Sequence, residues 1–229
     1  MPQLRILAAL VALSLVVFVG PDVSTTGAQD AAATTRTITF ATLAPPGSGI
    51  MRGLEAWTRE IRRRTNRPLQ LRFYAGGVQG DEPEVIRKMR SGRLDAGGVT
   101  SNGLAQIHRP ALIFQLPGTF RRYEQVQAAR EALAGEVEAG MIQQGFRMLG
   151  WADVGQAHLF SRREIHTPAD LGPCRFWVRA DDVILPTVFQ IVRTNTVELA
   201  VPEVLGGLQT GRIDTYLAPP AVALALQWG

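Results

Sequence analysis

Lysine is almost missing from this chain: Lys88 is the single one among 24 lysines and arginines. Aromatic residues are sparse at 7%, and charged residues make up only 19% of the 229 positions. The formal charge of +4 would allow a nucleic-acid partner, but such a surface interleaves its cations with stacking aromatics. Runs such as Arg62-Arg63-Arg64 are short and flanked by acids or apolar residues. The arginine excess is read as codon usage in a GC-rich genome, and no nucleic-acid partner is expected. Cysteine is limited to Cys174, which excludes an internal disulfide and a zinc site built from thiolates. Its apolar neighbours make it a small core residue.

Histidine is equally scarce. His108, His158 and His166 show no His-Glu-x-x-His or His-x-His spacing, so neither a metal nor another cofactor is expected. No Gly-x-Ser-x-Gly elbow occurs, and the loop from Gly76 to Gly80 lacks both the phosphate-binding lysine and the dinucleotide spacing. Asp181-Asp182 is a carboxylate pair, but adjacent residues leaving a strand point apart, and a solvated turn is expected there. Nothing pairs a nucleophile with a base, so no catalytic residue is assigned and the chain is not read as an enzyme.

Long apolar runs are absent apart from Ile6 to Gly20, which follows Arg5 and precedes small residues ending at Thr26-Gly27-Ala28. That run is short for a membrane span and has the layout of an export signal. Residues 1–28 are therefore expected to be a cleaved signal peptide, leaving a periplasmic protein. An uncleaved N-terminal anchor is the rival reading.

The remainder alternates strands and helices. Arg36 to Leu43 reads as a strand, Ser48 can cap a helix carrying Ile50, Met51, Leu54, Trp57 and Ile61, and Leu69 to Tyr74 alternates as a second strand. Asp81 or Glu82 starts the next helix with Pro83 in its first turn, Gly92 ends it, and Leu94 to Thr100 follows as a strand. Tyr123 to Gln144 is helical, Gly145 to Trp151 a strand running into polar Asp153 to His158, and Arg175 to Arg179 another strand. Thr167 caps a short helical start at Pro168. This alternation implies parallel or mixed sheets flanked by helices.

One segment occurs twice. Glu84 to Ala96 reads EVIRKMRSGRLDA and Glu203 to Thr215 reads EVLGGLQTGRIDT, with five of thirteen positions identical at an offset of 119 residues. In each copy a helix closes on Gly, Arg follows, an aliphatic residue starts a strand, and Asp is the second residue of that strand. Gly suits the left-handed position through which a chain leaves a helix. One common unit arising twice would give the same echo, but two copies so far apart fit two similar α/β lobes better. Lobe I is placed at residues 34–150 and the start of lobe II at 151–229. A ligand would sit between them, at the carboxyl ends of the strands.

The order of motifs resembles one family. ITFATLAPPGS, GGVQGDEPEVIRKMRSGRLDA, Leu116-Pro117, TPADL and PEVLGGLQTGRID succeed one another as in the extracytoplasmic solute-binding subunits of tripartite ATP-independent periplasmic (TRAP) transporters, the DctP family. The resemblance implies a two-lobed periplasmic-binding-protein fold of the type II kind, a small-molecule ligand and TRAP-type membrane permease subunits as partners. It also implies a longer chain, so this one is expected to be C-terminally truncated.

The resemblance also marks departures. Members that bind organic acids carry arginine in a strand like Lys-Ile-Arg-Val, where this chain has Arg175-Phe176-Trp177-Val178. A second arginine follows Gly-x, where Gly155-Gln156 leads to Ala157, and a Glu-Asn pair gives way to the region of Tyr216 and Pro219. An arginine fork is the usual partner of a carboxylate. Its absence points to an apolar or amphiphilic ligand walled by Trp177, Tyr216 and Trp151, with Asn102 or His158 orienting it and Arg179 standing in for a missing arginine. A periplasmic ligand-sensing domain partnering a receptor, or a periplasmic hydrolase, are the alternatives.

Overall fold

The computed structural model describes residues 35–65 and 69–229, together with the backbone of residues 9–17. Its strands are β1 (Ala9–Val17), β2 (Arg36–Thr42), β3 (Leu69–Tyr74), β4 (Ala96–Thr100), β5 (Arg147–Ser161), β6 (Arg175–Val178), β7 (Asn195–Glu198) and β8 (Thr215–Ala218). The helices are α1 (Gly49–Arg64), α2 (Glu82–Arg90), α3 (Ser101–Ile107), α4 (Tyr123–Gln143), α5 (Leu185–Ile191), α6 (Val204–Gln209) and α7 (Pro220–Ala225). Local chemistry explains their starts: Ser48 Oγ accepts from Met51 N at 3.3 Å, and Asp81 Oδ1 accepts from Glu82 N at 2.7 Å.

The strand order is β3-β2-β4-β1-β5-β8-β6-β7. β2 lies parallel to β3 and β4, and β6 lies parallel to β7 and β8. The two flanks are therefore the same three-strand arrangement met twice, each with a central first strand. The duplicated segment sits at matching places in them. Gly92 and Gly211 both take positive φ, 70° and 69°, at the exits of α2 and α6. Leu94 and Ile213 then enter separate cores, one with Met89, Phe114 and Phe146, the other with Leu199, Val204 and Trp228.

The repeated aspartates share a role as well. Asp95 Oδ2 accepts from Thr39 N at 2.8 Å and Thr39 Oγ1 at 2.6 Å, tying the chain entering β4 to β2. Asp214 Oδ1 accepts from Arg175 N at 2.8 Å, tying the chain entering β8 to β6. Burial pushes the Asp214 carboxyl up, but hydrogen bonds from Arg175 and Thr215 outweigh it and hold the group below its ordinary range. A carboxyl lowered in the folded state stabilises above its unfolded value, about 3.9, and loses that contribution as pH falls. Asp214→Asn is thus expected to cost about 2 kcal/mol at neutral pH. Urea unfolding at pH 7 and pH 3 should show the gap between parent and variant shrinking at the lower pH.

One part of the sequence reading changes. β5 does not stop at Trp151 but runs on to Ser161 through Gly155, whose φ is 117°. Its polar residues fit a strand because one face is wet: Asp153 pairs with Arg130 at 2.7 Å while Ala157 is buried. β5 thereby carries the chain across the expected lobe boundary at residues 150 and 151. The expected signal peptide at residues 1–28 overlaps one strand. Ala9–Val17 forms β1, antiparallel to both β4 and β5, with Leu13 opposite Thr100 and Ala152. An uncharged apolar run satisfies an inner strand of a sheet as well as an export signal, and periodicity does not separate the two. Residues 1–8 and 18–28 of that segment lie outside the described residues.

Candidate functional site

The carboxyl ends of the parallel strands converge on one cavity of about 180 Å³. From the first flank come Thr42 and Leu43 at the end of β2, Thr100 and Asn102 where β4 turns into α3, and Glu82 at the start of α2. From the second come Val178 and Arg179 at the end of β6 and Ala218 and Pro219 at the end of β8. Trp177, Leu217, Val222, Leu226 and Trp228 make most of the wall apolar.

The polar end is an ion-pair network across the two flanks. Arg179 Nε and Nη2 donate to Asp181 at 2.8 and 3.0 Å, and Nη2 also donates to Asp81 Oδ1 at 3.3 Å. Glu82 Oε2 lies 3.2 Å from the same nitrogen. Asp81 Oδ2 accepts from Val201 N at 2.9 Å, and Gln106 donates to Asp181 at 2.8 Å. Glu82 is fully enclosed and accepts from Thr100 N, Thr100 Oγ1 and Gly103 N at 2.9, 2.8 and 3.1 Å. Gly103 is required for this approach, because a Cβ there would stand 2.6 Å from Glu82 Oε2. Burial pushes the Glu82 carboxyl up; the Arg179 charge and the Thr100 hydrogen bonds pull against it, and the net displacement is upward.

Trp177, Arg179 and Asn102, singled out in the sequence, border the cavity. Trp177 is held edge-on to Trp228, with ring centres 5.1 Å apart, and its Nε1 donates to Leu199 O at 3.0 Å. Ala157, where the resemblance led to a second arginine being expected, borders it too. Tyr216 stands behind the wall, stacked on Phe160 at 5.0 Å and donating from its hydroxyl to Trp228 O at 2.8 Å. His158 is exposed on β5, its Nδ1 3.0 Å from Gln156 O. Trp151 packs edge-on against Phe114 at 5.0 Å and borders a separate groove with Trp57. Arg179 is present but committed: its fork is filled by protein carboxylates rather than left open.

The pair Asp181-Asp182 does lie in a turn, with Asp182 N donating to Arg179 O at 3.1 Å, but it is not left to solvent, because Asp181 is engaged by Arg179 and Asp182 borders the cavity. Sequence reading also missed Glu82, Gln115 and Trp228. Glu82 could have been suspected from an acid beside a helix cap; Trp228 carries no local signal. Cys174 is buried, and no group of three or more His, Cys, Asp and Glu able to hold a metal occurs among the described residues.

A sequence model for the bacterial extracellular solute-binding proteins of family 7, DctP, matches residues 40–227. A curated solute-binding protein of Chromohalobacter salexigens is 25% identical over 172 residues, covering 74% of this chain and 51% of that one. A TRAP periplasmic solute-binding protein of Citrobacter koseri, solved with bound D-glucuronate, is 25% identical with a TM-score of 0.77, over 85% of this chain and 65% of that one. The fold is also that of a TRAP periplasmic solute-binding protein of Sulfitobacter, solved with bound β-D-galacturonate: TM-score 0.79, 19% identity, 84% of this chain and 65% of that one. This chain thus spans about half the length of the curated relative and just under two thirds of each structure.

Proposed function

This chain belongs to the bacterial extracellular solute-binding proteins of family 7, DctP, and from that membership we propose that it captures a small solute outside the inner membrane and delivers it to the permease subunits of a TRAP-type secondary transporter. On this reading it works in the periplasm, is exported by a signal within residues 1–28, and does no chemistry on its solute. The observation that carries the reading is the cavity at the carboxyl ends of both parallel flanks, where such folds hold ligands.

The solute has a substantial apolar body. Two relatives hold uronates, but here Trp177 and Ala157 occupy the places of the arginines expected to hold a carboxylate, and both border the cavity. The remaining guanidinium, on Arg179, already faces Asp81, Glu82 and Asp181. A carboxylate entering there would give up water without gaining a free cation, at a cost of several kcal/mol, roughly. An apolar body gains roughly 25 cal/mol for each Å² it withdraws from water. Calorimetric titration with succinate, galacturonate and a set of aryl and alkyl solutes should give measurable binding for the second group only. A ligand at 100 times its Kd should add about 2.7 kcal/mol to unfolding stability, which thermal melts would register. Micromolar or tighter binding of either acid would overturn the apolar reading.

A further inference from the structure

The polar end of the cavity holds more acceptors than donors. Arg179 is the only cation among the described residues that border it, and three carboxylates surround that guanidinium. A fourth carboxylate, Asp182, also borders the cavity and has no cation paired with it among the described residues. Asp182 Oδ1 accepts from Ile184 N at 2.8 Å and Leu185 N at 3.0 Å, which caps the start of α5. Among the described residues, Oδ2 meets only the Asn102 amide, at a long 3.4 Å. Gln115 donates to Asn102 Oδ1 from the same wall, so the two amides form a chain ending at Asp182. A carboxylate oxygen has room for two hydrogen bonds, and Oδ2 is left with capacity on a residue that borders the cavity.

We propose that the solute carries a protonated amine, seated against Asp182 Oδ2, with its apolar body lying along Trp177, Leu217 and Trp228. This rests on the apolar-body reading and adds the sign of the head group to it. An ammonium brings donors to an unfilled acceptor and offsets a local excess of negative charge, whereas an anionic head meets that excess. A neutral hydroxyl can donate one hydrogen bond to the carboxylate but brings no charge to offset the excess.

The test uses the full chain and three probes that share one apolar body: phenethylamine, 2-phenylethanol and phenylacetate, titrated calorimetrically at neutral pH. The amine is expected to bind at least about tenfold tighter than the alcohol, since it adds an opposite charge to the hydrogen bond that both can donate to the carboxylate. Asp182→Asn keeps a helix-capping side chain and should erase the difference between amine and alcohol. Equal affinities in the parent protein overturn the amine and leave the apolar body standing. Tightest binding by phenylacetate, or no binding by any of the three, overturns both. The parent comparison stands whether or not the variant folds.

Discussion

Arg179→Met should unfold more easily than the parent by about 3–5 kcal/mol at neutral pH, because it strands a cluster of carboxylates that have already left water. The guanidinium touches Asp81 and Glu82 on one flank and Asp181 on its own, and it is nearly enclosed. Methionine fills the volume of the stem but supplies none of the charge. Glu82 is the most exposed to the loss in energetic terms, being the most deeply enclosed. Its carboxyl is already pushed up by burial, with Arg179 as the leading counterweight. A carboxyl raised in the folded state favours folding below its unfolded value, about 4.3, and loses that contribution as pH rises. The deficit of the variant should therefore be smaller near pH 5 than at pH 7, and denaturant midpoints at the two values would show it. Adding Glu82→Gln to Arg179→Met should recover part of the loss, since the amide can still meet Thr100 without a charge. A deficit below about 1 kcal/mol at pH 7 would mean that water reaches the network and screens it.

That network also separates what could be read in the chain from what could not. The duplicated segment was legible because its signals are local. Gly92 and Gly211 need positive φ, Leu94 and Ile213 need a core, and Asp95 and Asp214 each tie a strand entry to its neighbour. Each requirement is met by one residue type within a few positions, so the pattern survives as letters. Arg179 and Asp81 are 98 residues apart, and nothing near either one announces the other. Read locally, Asp181-Asp182 is a polar dipeptide after a strand, and a solvated turn is the ordinary outcome. Only the crossing of the two flanks turns it into a wall of the cavity. β5 was cut short for a related reason: Asp153 and Gly155 look like a loop until Arg130 and Ala157 show which face each residue serves. The apolar run at Ala9–Val17 is the opposite case, where the letters satisfy two physical demands at once.

Trp177→Ala should cost about 3–5 kcal/mol in stability, the usual consequence of truncating a buried aromatic. The indole is 7% exposed, lies edge-on to Trp228 and gives its N–H to Leu199 O, so truncation removes packing and strands a carbonyl together. It also enlarges the cavity that Trp177 borders, so a solute loses its wall in the same step. Trp177→Phe separates these effects. The ring remains, and the missing N–H leaves Leu199 O unpaired, for a smaller loss of about 1–3 kcal/mol. If the apolar wall holds the solute, Trp177→Phe should weaken an aryl probe by less than about tenfold and Trp177→Ala by more, because the lost area scales with the ring removed. Melting curves with and without probe give both quantities from one set of samples. A probe that binds the parent and is indifferent to both substitutions would place the solute away from Trp177 and remove the main support for an apolar ligand.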